Sequence, residues 1–173
     1  MKQLSIILIS TIVLLVACKK DPPARTSGTV EIETTIYQPS TTPYVIGFSF
    51  PQAKSVKTNP IPDPDIIILV NGFPSLSLQV RNSQESFFKV GDYESEDKAK
   101  KAFDDLKTVQ EPEQWLGMAD NIAPNQVWVY RSDNEKYTKI RIVKTEFEIL
   151  QGISIGKCEF QWVHQPDGSV NFP

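Results

Sequence analysis

The sequence predicts an α+β domain dominated by antiparallel β-sheet, arranged as a meander or a sandwich, with one amphipathic helix packed on it. Three observations support this fold class. Short apolar segments typical of strands fill the chain between residues 30 and 90. One segment whose apolar residues recur at helical spacing follows them. Further strand candidates after residue 125 complete an order of strands, helix and strands.

The first half of the chain is predicted to be mostly strand. Residues 65–71 carry a continuous apolar run, which favours a strand buried on both faces. Four prolines between positions 51 and 64 remove backbone donors, so residues 51–64 are expected to form neither a helix nor a central strand. Asn71 and Gly72 mark a turn. The strand candidates are residues 30–36, 44–50, 65–71, 76–80 and 86–90.

The amphipathic helix is expected to begin after Ser95, whose hydroxyl is a good N-cap. Its apolar stripe faces the sheet, while lysines and aspartates fill the opposite face. The stripe consists of Ala99, Ala102, Phe103, Leu106 and Val109. Residues 113–122 favour a second, shorter helix that contains Met118, although Gly117 weakens this prediction.

The C-terminal third predicts an antiparallel meander. Residues 132–135 form its first connection, and Pro166, Asp167 and Gly168 have the residue types of a tight turn. Asp167 and Gly168 are therefore expected to serve the turn rather than a binding site. The strand candidates are residues 126–131, 136–144, 155–163 and 170–172.

The N-terminus resembles a bacterial lipoprotein signal. Lys2 supplies a positive start, an apolar core runs from Leu4 to Ala17, and the tetrad from Leu15 to Cys18 resembles the lipobox, in which the cysteine is acylated before the leader is cut. Fourteen core positions interrupted by serine and threonine are too few for a transmembrane helix, which needs about 20 apolar residues. The resemblance implies a lipid-anchored protein of the cell envelope, at the outer membrane, with the periplasmic or surface face left open.

This leader defines the domain organisation. Removing it leaves 156 of the 173 residues, a size that fits one domain. The segment after Cys18 is polar and contains prolines, as is typical of a tether. The predicted organisation is a signal peptide at residues 1–17, acylated Cys18 with a flexible tether at 18–28, and a single β-rich domain at 29–173.

Charge argues against nucleic acid as a partner. The formal net charge is −3 at pH 7. The densest basic cluster, at Lys98, Lys100 and Lys101, lies among acidic residues, so it is a solvated helix face rather than a phosphate-binding patch. We expect membrane contact through the lipid on Cys18 instead.

Residues that usually carry catalysis or bind metals are scarce. The chain has two cysteines and one histidine, so the usual tetrahedral metal sites cannot be assembled once Cys18 is acylated. Cys158 then has no disulfide partner and is expected to be a small buried hydrophobe. His164 follows a strand candidate and is expected to be a turn or surface residue. No Gly-x-Ser-x-Gly motif and no phosphate-binding glycine loop occurs, which predicts a protein that is not an enzyme.

Aromatic residues supply the remaining candidates for a binding surface. In the strand candidate 126–131, Trp128 and Tyr130 face one way, while Val127 and Val129 face the other. We expect the helix to cover one of these faces. A face left uncovered would be an apolar patch of the kind that marks a ligand or partner surface. Trp128 and Tyr130 are therefore candidate ligand-binding residues, with buried core as the alternative.

Two parts of the chain resemble known lipoproteins. The leader and the segment Cys18-Lys-Lys-Asp21 resemble lipoproteins of the Bacteroidota, in which a charged run after the cysteine accompanies export to the cell surface. Residues 126–130, 136–142 and 160–168 resemble the C-terminal half of the HmuY-like haem-binding lipoproteins, which are antiparallel β domains. Because members that bind haem ligate its iron with histidine or methionine, the resemblance makes His164 and Met118 candidate haem ligands.

These observations favour a membrane-anchored, non-enzymatic binding domain for a small ligand, such as haem, or for a protein partner of the envelope. A structural or accessory subunit of a surface complex is the first alternative. A carboxylate-based envelope hydrolase is the second, although twenty-one acidic residues do not nominate a pair. Asp63 and Asp65 have oxygens that suit calcium, but their alternation with Pro62 and Pro64 favours an extended structural loop.

Overall fold

The computed structural model describes residues 25–38, 42–59, 63–81 and 85–173. In chain order its elements are β1 (Ser27–Glu33), β2 (Ile46–Ser49), β3 (Lys54–Lys57), β4 (Ile67–Val70), β5 (Leu76–Gln79), β6 (Phe87–Asp92), α1 (Glu96–Asp105), β7 (Met118–Ala119), β8 (Gln126–Arg131), β9 (Tyr137–Leu150) and β10 (Ile153–Gln165). The described strands form a five-stranded sheet in the order β1-β10-β9-β8-β6 and two smaller sheets, β2-β3 and β4-β5-β7. Every strand pairing is antiparallel, which confirms the predicted fold class.

The main hydrophobic core lies between the five-stranded sheet and the two smaller sheets. The Phe50 ring contacts the Tyr130 ring at a centroid distance of 5.4 Å, and the Phe48 ring contacts the Phe160 ring at 5.9 Å. A Cβ at Gly156 would lie 2.2 Å from Leu76 Cδ2, so a larger residue there would have to displace the Leu76 side chain of the facing layer. The five-stranded sheet and the two smaller sheets therefore form a sandwich, in which the smaller sheets cover one face of the larger one.

The helix α1 covers the opposite face of the five-stranded sheet, where it contacts β8 and β9. Ser95 is its N-cap, as predicted, because Ser95 Oγ accepts a hydrogen bond from the Lys98 N–H at 3.4 Å. The helix ends at Asp105 and does not extend to Val109 as the apolar stripe predicts. The Val109 N–H instead donates to the Val170 carbonyl at 2.8 Å, which holds this part of the chain against the C-terminus.

The second helix predicted over residues 113–122 is wrong. Leu116 and Phe87 exchange two backbone hydrogen bonds, of 2.7 and 2.9 Å. The next residues, Met118 and Ala119, form β7 and pair with β5. Backbone pairing with two neighbouring strands therefore prevails over the helical spacing of the apolar side chains.

The described residues of 51–64 contain no helix and no central strand, as predicted, and their one short strand, β3, pairs with β2 in a two-stranded sheet. Two other strand predictions need correction. The prediction that residues 65–71 are buried on both faces is wrong at Leu69, which is exposed. The strand predicted at residues 170–172 is wrong. The structure has a single β-bridge there, between Thr108 and Asn171, because none of the described strands lies beside this segment.

The N-terminal predictions lie outside the described residues. They include the signal peptide, Cys18 and most of the tether. The described part of the chain contains no helix that is long and apolar enough to cross a membrane.

Candidate ligand-binding groove

The structure places Trp128 and Tyr130 in the main core. Both are buried, and the two smaller sheets rather than the helix cover them. The Trp128 Nε1–H donates to Gln126 Oε1 at 3.1 Å, so its polar atom is satisfied inside the protein. Burial and the neighbouring Asp65 raise the pKa of the Tyr130 hydroxyl. The face that carries Trp128 and Tyr130 is therefore not an exposed patch.

The expectation that His164 is a turn or surface residue is wrong. Its side chain is 3% exposed, because it lies within β10 and its ring stacks on Phe50 at a centroid distance of 6.1 Å. Its Nδ1 shares a hydrogen bond of 2.8 Å with Thr138 Oγ1, and its Nε2 is buried without a partner among the described residues. Burial lowers the pKa of His164 to about 4, and the charge of Lys136 contributes.

The candidate haem ligands do not form a pair. His164 would have to leave the core before its Nε2 could coordinate iron. Met118 lies half-buried in β7, a strand of a different sheet. These two positions do not fit a haem site, and no step of the function proposed below depends on haem.

A groove of about 630 Å³ lies on the face of the five-stranded sheet that carries α1, opposite the main core. Its volume falls in the range of about 300 to 1,000 Å³ that is typical of small-molecule sites. None of the candidate residues Met118, Trp128, Tyr130 and His164 lines it. The lining residues are Phe88, Val90, Leu106, Thr108, Val109, Gln110, Glu111, Pro112, Glu113, Gln114 and Val129.

The floor of the groove is apolar because β6 and β8 present alternate side chains to this face. Phe88 lies opposite Val129 in the register of the two strands, and Val90 continues the same row. Leu106 and Val109 form a wall just after the end of α1. An apolar molecule placed there would contact side chains on both sides.

The wall is held in place by the C-terminus. The Thr108 hydroxyl donates to Asn171 Oδ1 at 2.9 Å, and the Phe172 N–H donates to the Lys107 carbonyl at 2.7 Å. Together with the hydrogen bond from Val109 to Val170, these contacts fix residues 107–109, at the start of the connection that follows α1. The groove is therefore a formed feature of the fold, as ligand sites usually are.

Trp115 and Arg131 lie outside the lining of the groove and contact one of its residues, Glu111. The Trp115 Nε1–H donates to Glu111 Oε1 at 2.7 Å, and Arg131 Nη1 lies 3.2 Å from the same oxygen. The Arg131 guanidinium also lies 4.1 Å above the centre of the Trp115 ring, a cation–π contact. Phe88 joins this cluster with its ring 6.4 Å from that of Trp115.

The rim of the groove is polar and acidic. Glu111 and Glu113 contribute carboxylates, and Thr108, Gln110 and Gln114 contribute neutral polar groups. No cationic side chain belongs to the lining, and the Glu113 carboxylate has no ion-pair partner among the described residues. The site thus combines an apolar floor with a rim that favours a cationic or hydrogen-bond-donating group.

A second, smaller cavity of about 240 Å³ is lined by carboxylates, with Tyr130 and Arg81 beside them. Asp65 is the most buried of these acids, and burial raises its pKa, while it accepts the Phe50 N–H at 2.9 Å. Asp63 forms an ion pair with Arg81. This volume lies below the usual range for ligand sites, so the cavity is the weaker candidate.

No protein-family model matches this chain, and no curated protein matches it in sequence. The candidate site therefore rests on the geometry of the groove. The groove is not apparent in the sequence because its lining comes from two strands, the end of a helix and an irregular connection. The one local signal was the polar segment 110–114 with Pro112 at its centre, placed between the helix and Trp115.

Proposed function

We propose that this protein is a lipid-anchored, non-enzymatic binding domain of the cell envelope whose groove takes up a small amphiphile. The ligand has an elongated apolar body and a head that is cationic or rich in hydrogen-bond donors. The observation that carries this proposal is the groove of about 630 Å³, with an apolar floor and an acidic rim. The sequence from Leu15 to Cys18 supports the anchor.

The ligand class follows from the charge of the lining. Burial of apolar surface against Phe88, Val90 and Val129 supplies the main driving force, at about 25 cal/mol per Å² removed from water. The Glu113 carboxylate attracts a cationic head and repels an anionic one, whereas the Glu111 carboxylate is already paired with Arg131. The apolar chain of a fatty acid would pack on the floor of the groove, but its carboxylate would be repelled by the carboxylate at the rim.

The experiment is a calorimetric titration of the chain from Arg25 onward, which contains all described elements and lacks a lipid that would compete for the groove. The probes are dodecyltrimethylammonium and dodecanoate, both below their micellar concentrations, because they share a chain length and differ in head charge. We expect the cationic probe to bind about tenfold more tightly, a difference of about 1.4 kcal/mol.

Two variants locate the binding. Glu113→Gln is expected to lower the affinity for the cationic probe and so reduce the difference in affinity between the two probes. The control Glu31→Gln, on β1 at the other edge of the sheet, is expected to leave both affinities unchanged. Val90→Phe is expected to weaken both probes because it fills the floor. Equal affinity for the two heads, or an unchanged affinity in Val90→Phe, would contradict the proposal.

The hydrolase alternative has less support. The Asp65 carboxyl has the raised pKa that a general acid needs, but its cavity is small and its neighbour Asp63 is already paired with Arg81. The accessory-subunit alternative predicts a stable partner that co-purifies with the protein, and it does not exclude a ligand in the groove.

A further inference from the structure

The β9–β10 hairpin extends beyond the rest of the five-stranded sheet. The pairing of β8 with β9 ends where Val127 faces Arg141, and the Asn125 N–H donates to the Ile142 carbonyl one residue further on. From Lys144 onward β9 pairs only with β10 among the described residues. One edge of β9 therefore presents unpaired backbone groups, which are a template for another strand.

The end of this hairpin is also apolar. Three of its side chains are more than half exposed: Ile149 at 65%, Leu150 at 57% and Ile153 at 67%. Phe73, from the turn between β4 and β5, is 61% exposed and lies beside Phe147 with the ring centres 5.6 Å apart. Phe147 and Ile149 lie on one face of the hairpin, and Leu150 and Ile153 lie on the other, so exposed apolar side chains flank the free edge of β9 on both faces.

We infer that the partner is a second copy of this chain, paired through the free edge of β9. In an antiparallel pair with its two-fold axis at Glu146, Lys144 of each copy lies opposite Glu148 of the other. Thr145 likewise lies opposite Phe147. The two Lys144–Glu148 pairs are complementary in charge, as an isologous interface requires, and the Glu146 carboxylates on the axis are the one like-charge pair.

Charge disfavours a lipid surface as the occupant. Carboxylates exceed ammonium groups on and beside the projecting hairpin, and an anionic membrane would repel this excess. The carboxylates belong to Glu31, Glu33, Glu146, Glu148 and Glu159, and the ammonium groups to Lys144 and Lys157.

The two-fold axis has a consequence for the anchored protein. Ser27 pairs with Val163, ten residues along β10 from Ile153, so the chain enters the domain about 33 Å from the hairpin end. The Ser27 ends of the two copies therefore lie at opposite ends of the dimer.

The test is disulfide crosslinking of the full chain in cells under mild oxidation. In Glu146→Cys the two introduced cysteines lie directly opposite each other, with Cβ atoms about 5 Å apart, close enough for a disulfide. In the control Lys157→Cys the cysteines are three strand spacings apart, about 14 Å, and cannot join. We expect a band at twice the chain mass for Glu146→Cys, above the level of the control and of the unmodified chain.

Sedimentation of the full chain in detergent gives a second measurement. Glu146→Gln removes the one like-charge pair on the axis, so it is expected to tighten the dimer by about twofold to fivefold. An equal dimer band in Glu146→Cys and Lys157→Cys would overturn the inference. A crosslinked product of any other mass would identify a different partner and overturn it as well, as would an unchanged dissociation constant in Glu146→Gln.

Discussion

His164 illustrates how a single side chain responds to burial. It is the only histidine of the chain, and its ring lies in the core between Phe50 and Thr138. Burial and the charge of Lys136 lower its pKa to about 4, compared with an ordinary value of 6.5. Between about pH 4 and pH 6.5, His164 is therefore more protonated in the unfolded chain than in the folded chain.

We predict that His164 makes the protein less stable as the pH falls. Its contribution is complete above pH 6.5 and is lost progressively down to about pH 4, with a total on the order of 3 kcal/mol. Urea unfolding at pH 7, 5.5 and 4.5 measures this loss. Asp65 acts in the opposite direction, because its pKa is raised by burial.

His164→Leu separates the two effects, because it removes the titrating ring and leaves Asp65 unchanged. The difference in unfolding free energy between the two chains is expected to depend on pH only in the window between about 4 and 6.5. A constant difference across that window would show that the ring is not held neutral.

At the scale of elements, α1 is held at both ends by buried cations of β9. Lys139 is buried under the helix, and its Nζ donates to the carbonyls of Phe103 at 2.7 Å and Leu106 at 3.0 Å. Arg141 lies 3.5 Å from Glu96 at the other end. A cation at a helix C-terminus satisfies carbonyls that lack partners and interacts favourably with the dipole.

Lys139→Met tests this arrangement. The methionine retains the apolar volume but leaves the two carbonyls without a donor, so we expect a destabilisation of about 1 to 3 kcal/mol. The burial that lowers the pKa of Lys139 reduces the effect, because the charged form is costly to bury. Lys54→Met, at an exposed position of β3, is the control and should change the free energy of unfolding little. An equal effect of the two variants would contradict the role of Lys139.

The same lysine explains why the helix is shorter than its apolar stripe. Leu106 leaves the helical conformation with ψ at 87°, and its carbonyl turns to Lys139. No sequence signal near residue 106 predicts this end of the helix, since Lys139 is distant along the chain. The predicted helix at residues 113–122 was wrong for a related reason, because Leu116 pairs with Phe87 of a separate strand.

At the scale of the whole molecule, the proposed lipid anchor and the proposed binding groove belong to different parts of the chain. The proposed anchor at Cys18 precedes the described domain, and the groove lies on the face of the large sheet that carries α1. Cys158 is fully buried in the core, as predicted, and burial raises the pKa of its thiol, so it does not compete as a site of modification.

We predict that Cys18→Ala abolishes lipid attachment. Metabolic labelling with palmitate should mark the unmodified chain and the control Cys158→Ala, but not Cys18→Ala, because acylation requires the thiol. The unmodified chain should also sediment with the membrane fraction. Label retained in Cys18→Ala, or absent from the unmodified chain, would remove the anchor from the proposed function.

The sequence by itself determined the fold class and the position of most strands, because alternating side chains and turn residues act locally. β8 has the predicted bounds, and Ser95 caps the helix as expected. It also predicted the burial of Cys158. Only the tertiary structure decided that His164 and Tyr130 are core, that α1 covers the valine face of β8, and that a groove lies beside it. Each of these features depends on contacts between residues far apart in the chain, and local patterns carry no information about them.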